Sequence, residues 1–251
     1  MYALVTGASS GLGKDMAILL AQRGYDLIIV ARSEDKLIKL KEQLSNVNVV
    51  VIKKDLSLEQ ECYSLINEVS KYNIEILINN AGFGLFGDFT NSDLDIEINM
   101  IDTNIKAPLI LMKHFLNIFK NKNKGYILNV ASAAAFTYGP LMSVYYSTKH
   151  FLYSQTLSVY GELKKEKSNV YVGVLCPGPV ATSFSERANV KFGVKPKSSK
   201  DVSKYAIKKM FNRKLIIIPG IMLKLGKFGT RFVSDKMLAK IGYYFQNKKE
   251  K

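Results

Sequence analysis

Tyr145, Lys149 and Ser132 are the residues of this chain whose types and spacing suit one piece of chemistry. Residues four apart on a helix face the same way, about one turn from each other, as Tyr145 and Lys149 would. The ammonium of Lys149 would then stabilise a tyrosinate at Tyr145 and lower its pKa. A tyrosine tuned toward neutral pH can pass a proton to or from an alcohol oxygen. A hydroxyl from Ser132, upstream in the chain, could hold that same oxygen. Such a site suits moving a proton at a carbonyl whose carbon also exchanges hydride. Tyr146 competes by proximity, but four residues beyond it stands His150 rather than a lysine. Ser143 is the alternative serine, and its place just before the helix suits an N-cap.

A binding site for a second reactant is written at the start of the chain. A short apolar strand, Tyr2 to Val5, leads into Thr6-Gly7-Ala8-Ser9-Ser10-Gly11-Leu12-Gly13, and a helical pattern from Leu12 to Arg23 follows. Strand, glycine turn and helix come in the order needed to bind a pyrophosphate. Glycines allow a tight turn and close backbone approach, and the helix N-terminus offers free N–H groups and positive dipole. The spacing is TGxxxGxG rather than GxGxxG. Gly7, Ser9, Ser10, Gly11, Leu12 and Gly13 are assigned to this turn, with hydroxyl contacts from Thr6 and Ser9. Gly24 is placed to close the helix as a C-cap.

Apolar runs and amphipathic helices alternate from there on. Candidate strands are Tyr2–Val5, Asp26–Ala31, Val47–Lys53, Ile74–Ile78, Gly125–Val130, Val170–Cys176 and Leu215–Ile218. Most are β-branched and nearly continuous in hydrophobicity, as expected of strands buried on both faces. Helices are predicted over Leu12–Arg23, Ser33–Leu44, Leu58–Lys71, Asn91–Asn104, Ala107–Asn121, Val144–Lys165 and Asp201–Phe211. This order predicts an α/β fold: one doubly wound parallel sheet of about seven strands with helices on both faces. Ligand then binds beyond the strand C-terminal ends, at the switch in strand order.

The glycine turn, Asn79-Asn80-Ala81-Gly82, Ser132, Tyr145xxxLys149 and Pro177-Gly178-Pro179-Val180-Ala181-Thr182 occur in that order. In this the chain resembles the classical short-chain dehydrogenase/reductase family, from Met1 to about Pro219. The resemblance implies a single Rossmann-type catalytic domain over residues 1–219, with residues 220–251 an extension of the same domain. It implies a nicotinamide cofactor and no metal. It gives Tyr145 the part of general acid in reduction and base in oxidation. Lys149 lowers the tyrosine pKa and bonds the nicotinamide ribose, and Ser132 orients the carbonyl. Asn104 matches the family asparagine that kinks a helix and holds a water beside the lysine; Asn99 is a rival with less fitting surroundings.

For the cofactor, the resemblance implies contacts from Asp55 and Leu56 to the adenine, with helix capping by Asp55 or Ser57 a compatible role. Asn80, Ala81 and Gly82 pass close to the adenosine ribose, and Asn79 either binds or braces the sheet. Pro177, Gly178, Val180 and Thr182 face the nicotinamide. NAD-selective relatives carry an acid at the end of the second strand. Here Ala31 takes that place, followed by Arg32 and Ser33, a pair suited to a 2′-phosphate. NADP(H) is therefore favoured over NAD, although Ser10 stands where some NADP-dependent relatives carry a basic residue.

Composition bounds the rest. At 251 residues, 47% hydrophobic and 23% charged, the chain suits one domain with a large core. No stretch approaches a membrane span of roughly 20 apolar residues. A strand beginning at residue 2 leaves no room for a signal peptide. Cys62 and Cys176 read as buried free thiols, so a cytoplasmic protein is expected. The net charge of +15 is mostly lysine spread over many segments, which reads as a solvated basic surface and not as a nucleic-acid site. Ser183 to Ser199 is expected to be a mobile substrate lid, with Phe184, Val190, Phe192 and Val194 as an apolar wall. Beyond Pro219 a basic amphipathic helix or two could roof the pocket, form a dimer seam or lie on an anionic membrane. The expectation is an NADP(H)-dependent carbonyl reductase or alcohol dehydrogenase acting on a small molecule, an apolar one included, as a homodimer or homotetramer. A 3-oxoacyl-thioester reductase working on acyl carrier protein or CoA is the rival enzyme. A non-catalytic dinucleotide-binding regulator and a membrane-surface protein are the rivals of other classes.

Overall fold

The computed structural model describes residues 1–188 and 195–247. Seven strands form one parallel sheet: β1 (Tyr2–Thr6), β2 (Asp26–Ala31), β3 (Val49–Lys53), β4 (Ile74–Asn79), β5 (Tyr126–Val130), β6 (Tyr171–Leu175) and, after a two-residue pair described below, β9 (Ile216–Ile217). Their order across the sheet is β3-β2-β1-β4-β5-β6-β9. The order reverses between β1 and β4, and a crevice opens beyond their C-terminal ends at that point. Each expected strand is present, shortened by a residue or two at some ends. The additional pair is β7 (Val180–Ala181) with β8 (Lys197–Ser198), which joins the chain just before the expected lid to the lid's end.

The apolar runs that predict the strands explain the layering. Successive side chains alternate across the sheet. Val5 and Ile29 pack with Met16 and Leu20 of α1 (Gly11–Ala21) and with Ile207 of α8 (Ser199–Phe211). Leu4 and Ile28 face the other way, onto Leu65 of α3 (Glu59–Val69) and Phe115 and Phe119 of α5 (Ala107–Asn121). α2 (Glu34–Glu42) lies on the first face through Leu37 and Leu40, and α6 (Ser143–Lys165) reaches the second through Leu163. Cys62 and Cys176 are buried free thiols. Gly24 adopts φ +81° and donates to the Ala21 carbonyl, turning the chain past α1, but the C-cap is Gln22 and not the expected Gly24.

The helix predicted over Asn91–Asn104 differs. It is α4 (Leu94–Ile101), capped by Asp93, whose carboxylate accepts from the Asp95 and Ile96 N–H groups. A π-helical turn, Asp102–Lys106, then joins it to α5, with the Ala107 N–H bonding the Asp102 carbonyl. Pro108 supplies the reason: it has no N–H for a carbonyl one turn back, so the ladder slips where that donor is missing. Asn104 sits inside this slip. The short α7 (Phe184–Arg187) occupies part of the expected lid. Val190, Phe192 and Val194 lie outside the described residues. The tail forms α9 (Ile221–Gly229), a 3-10 turn at Thr230–Phe232 and α10 (Asp235–Asn247).

Candidate active site

One cleft of about 910 Å³ runs over the C-terminal ends of β1 and β4, from the glycine turn to α10. Its size is that of a site for a cofactor and a small substrate. Gly7, Ser9, Ser10, Gly11 and Leu12 line one end, and Arg32, Ser33, Asp55 and Leu56 the flank beside it. Asn80, Ala81 and Gly82 form the floor, Pro177, Gly178, Val180 and Thr182 the far wall, and Ser132, Tyr145 and Lys149 stand together beyond them. Three expected site residues, Thr6, Gly13 and Asn104, do not reach the cleft. Gly13 is buried beneath the turn, where a side chain would strike the Gly7 carbonyl and the Asn80 amide. Asn104 is 1% exposed and lies behind Gly82.

The glycine turn lies close against the end of β4. Gly7 has φ +64°, and a Cβ there would meet the Ala81 Cα at 2.8 Å. Only glycine lets the turn lie so close to the end of β4. Thr6 behaves differently from the expectation. Its buried hydroxyl donates to the Ile78 carbonyl and accepts from the Asn80 and Ala81 N–H groups at 3.0 and 3.1 Å. It therefore ties β1 to β4 instead of facing a phosphate. The Asn80 amide adds bonds to the Thr6 and Gly7 carbonyls. Asn79 points into the sheet and donates to the Asn129 side chain at 2.9 Å, so its place is structural.

At the cleft flank, Arg32 lies 3.6 Å from the Asp55 carboxylate, with the guanidinium well exposed. No acid stands at the end of β2. Asp55 accepts from the Ser57 N–H and hydroxyl, closing a local turn. It does not cap α3, nor does Ser57; the N-cap position is Leu58, with no side-chain cap. Lys36, on the first turn of α2, also lines this end. Its spacing from Arg32 and Ser33 across a helix start is the signal that could have found it.

The chemical end is built on β5 and α6. Ser132 follows β5 in extended conformation and accepts from the Ala134 N–H at 3.1 Å, with the Tyr145 phenol beside its hydroxyl. Ser143 is the first residue of α6 and not its cap, which is Met142. Tyr145 is buried, its ring 5.3 Å from that of Phe184. Lys149 Nζ donates to the Val130 carbonyl at 3.1 Å and lies 5.8 Å from the Tyr145 ring centroid. Burial holds the Tyr145 phenol above its ordinary range, and the Ser132 hydroxyl pulls it back in part. The sequence predicts the opposite direction through Lys149; desolvation of the phenol dominates here, and the cation lies 5.8 Å from the ring centroid. Burial also lowers Lys149, to about 8.

Asn104 supports this end from behind. Its side chain donates to the Phe83 carbonyl at 2.9 Å and to Thr148 Oγ1 at 3.1 Å, and accepts from the Phe83 N–H at 3.1 Å. The backbone of Gly82 passes between this amide and Lys149. Tyr146, the rival tyrosine, accepts a bond from Gln246 of α10 at 2.5 Å. The tail closes the cleft: Leu223 packs on Gly178, and Leu238, Ile241 and Phe245 line the chamber beside Tyr145. Gln246 and these apolar residues carry no sequence signal for the site beyond an amphipathic pattern. Among the described residues, no cluster of His, Cys, Asp or Glu side chains is arranged to hold a metal ion.

The sequence pattern of the family described as short chain dehydrogenase matches residues 1–191. The chain belongs to the short-chain dehydrogenase/reductase family. It is therefore an NAD(P)-dependent oxidoreductase with a Rossmann-type fold. An uncharacterised oxidoreductase of Staphylococcus aureus is 32% identical over 189 residues, 74% of this chain and 81% of that protein. A short-chain dehydrogenase from Sphingobium yanoikuyae in complex with NADPH is 28% identical, with a TM-score of 0.84 over 92% of this chain and 93% of that one. The bulky-bulky ketone specific alcohol dehydrogenase from Comamonas testosteroni is 26% identical, with a TM-score of 0.78 over 93% and 94%.

Proposed function

We propose that this protein is an NADP(H)-dependent carbonyl reductase or secondary-alcohol dehydrogenase in which Tyr145 is the general acid and base. The observation that carries this reading is the meeting of Ser132, Tyr145 and Lys149 at one end of a cleft whose other end is the glycine turn. The turn, Gly82 and Pro177–Thr182 fit a dinucleotide, which supplies or accepts the hydride when bound. The chain's own residues handle the proton. Ser132, whose hydroxyl stands beside the phenol, holds the substrate oxygen there. In reduction Tyr145 gives its proton to that oxygen, and in oxidation it takes one back. Burial keeps the phenol protonated, the form that donates. Lys149 is the cation that stabilises the phenolate left behind. Asn104 acts through others, by fixing Phe83 and Thr148 on either side of the lysine.

NADP(H) is favoured over NAD because Ala31 leaves the ribose edge without an acid while Arg32, Ser33 and Lys36 gather there. The NADPH complex of the Sphingobium relative supports the same reading. The apolar chamber of Met142, Phe184, Leu223, Leu238 and Phe245 suits a bulky ketone, in line with the Comamonas relative. Residues 220–247 then belong to the same domain as residues 1–219, as its roof. The exposed stripe Leu94, Ile98 and Ile101 on α4 supports a homo-oligomer.

The test is oxidation of NADPH and NADH by purified protein with bulky ketones, aldehydes and 3-oxoacyl thioesters. Turnover with NADPH is expected to fall by about 100-fold to 10,000-fold in Tyr145→Phe, with cofactor affinity nearly unchanged. Retained turnover in that variant would remove Tyr145 from the chemistry.

A further inference from the structure

We propose that α9 and α10 seat this protein on an anionic lipid surface, in the plane of the headgroups, with the mouth of the cleft turned toward the bilayer. α9 is amphipathic in the inverse sense for a helix on a protein surface. Ile221, Leu225, Phe228 and Phe232 repeat at helical spacing along one side of the segment and are 74%, 59%, 59% and 75% exposed. The opposite side faces the body. Leu223 packs on Gly178, and Lys227 Nζ lies 5.1 and 5.2 Å from the ring centroids of Phe136 and Tyr153. A helix normally turns its apolar stripe inward. Here the stripe is left for something outside the fold.

Charge selects the occupant. Between Ile221 and Asn247, apart from the inward-facing Lys227, the chain exposes Lys224, Arg231, Lys236 and Lys240 against one acid, Asp235. That acid stands beside the Tyr138 phenol, whose pKa it raises. A second copy of this surface would bring like charge against like. The other exposed stripe, on α4, has Asp95 and Glu97 beside it and suits a protein neighbour better than a lipid. Cations flanking an apolar stripe are what an interfacial helix needs to meet anionic headgroups. No described helix is long and apolar enough to cross a membrane, so the contact is in-plane.

The chamber continues into this face. Met222, Ile241 and Phe245 line the cleft and are also 79%, 40% and 63% exposed. An apolar carbonyl compound dissolved in the bilayer would enter past them without crossing water. Only this account of the cargo rests on the activity proposed above.

The test is flotation of the full chain with phosphatidylcholine vesicles, with and without about one third phosphatidylglycerol. The wild type is expected to float with the anionic vesicles only, and less in high salt. The double variant Leu225→Glu/Phe228→Glu, whose sites lie outside the cleft, should bind at least about tenfold more weakly. Its melting temperature and its turnover of a water-soluble ketone should be unchanged. Wild type that stays at the bottom overturns the proposal, as does a variant that floats equally well. A variant that changes the oligomeric state without lipid also overturns it and assigns the stripe to a subunit seam. Flotation that separates the two proteins while neither turns over any ketone keeps the docking surface and removes the reductase reading.

Discussion

Replacing Gly82 by alanine is expected to destabilise the protein by roughly 2–4 kcal/mol and to displace the lysine beside Tyr145. The new Cβ would lie 2.8 Å from Asn104 Oδ1 and 3.4 Å from Lys149 Nζ. The first distance is about half an ångström inside ordinary contact. Asn104 cannot simply turn away, because it is buried and makes three bonds, two to the Phe83 backbone and one to Thr148. Overpacking a dense site costs about 1–3 kcal/mol, and one buried partner left unpaired adds about 1 kcal/mol, the lower end of its range. In a domain of this size each kcal/mol moves the melting temperature by about 2–4 °C, so a fall of about 5–15 °C is expected. Gly161→Ala is the control. It lies within α6 with nothing within 4 Å of the added carbon, and it should stabilise by about 0.5–1 kcal/mol. Scanning calorimetry reads both variants, and kcat/KM for a ketone reads the site. A Gly82→Ala protein that melts with the wild type and keeps its kcat/KM would refute the account of how Asn104 and Lys149 are held apart.

Arg32→Ala is expected to weaken NADPH more than NADH in fluorescence titrations; equal losses would end the 2′-phosphate argument. Lys149 has a further signature in pH. Its folded value of about 8 lies below the ordinary 10.5, so between these limits the unfolded chain binds more protons and stability rises with pH. Denaturant melts of wild type and Lys149→Met should therefore diverge in favour of the wild type from pH 8 toward pH 10. Parallel curves would show that the ammonium is not desolvated. Because neutral Lys149 cannot stabilise a phenolate, ketone reduction should also decline above about pH 8; a flat profile there would speak against its part.

The sheet and the principal site residues were legible because their signals are local. Uninterrupted apolar runs mark buried strands, and Tyr145 with Lys149 is a helical repeat that any α6 would place on one side. The glycine turn is readable because its neighbours in sequence are its neighbours in space. What escaped were contacts between distant segments. Thr6 looks like part of the turn, but its hydroxyl is taken by Asn80 and Ala81 of another strand. The direction of the Tyr145 shift depends on how deeply α6 is covered, which no spacing reveals. Gln246 reaches Tyr146 across 100 residues of chain and reads in sequence as one polar position among several. The π turn was hidden behind a pattern that a regular helix satisfies equally well, although Pro108 held the clue.

The bond from Lys149 to residue 130 has an evolutionary side. Its acceptor is the main-chain carbonyl at the end of β5, not a side chain. No substitution at Val130 can delete that oxygen, and any residue that keeps the strand keeps the anchor. The ammonium is thus held by a part of the molecule that mutation cannot edit. Lineages of this protein can exchange the apolar residue at 130, and much of the chamber around it, while the cation stays where it is. Substrate preference can drift on such a frame without the proton-handling residues having to change with it.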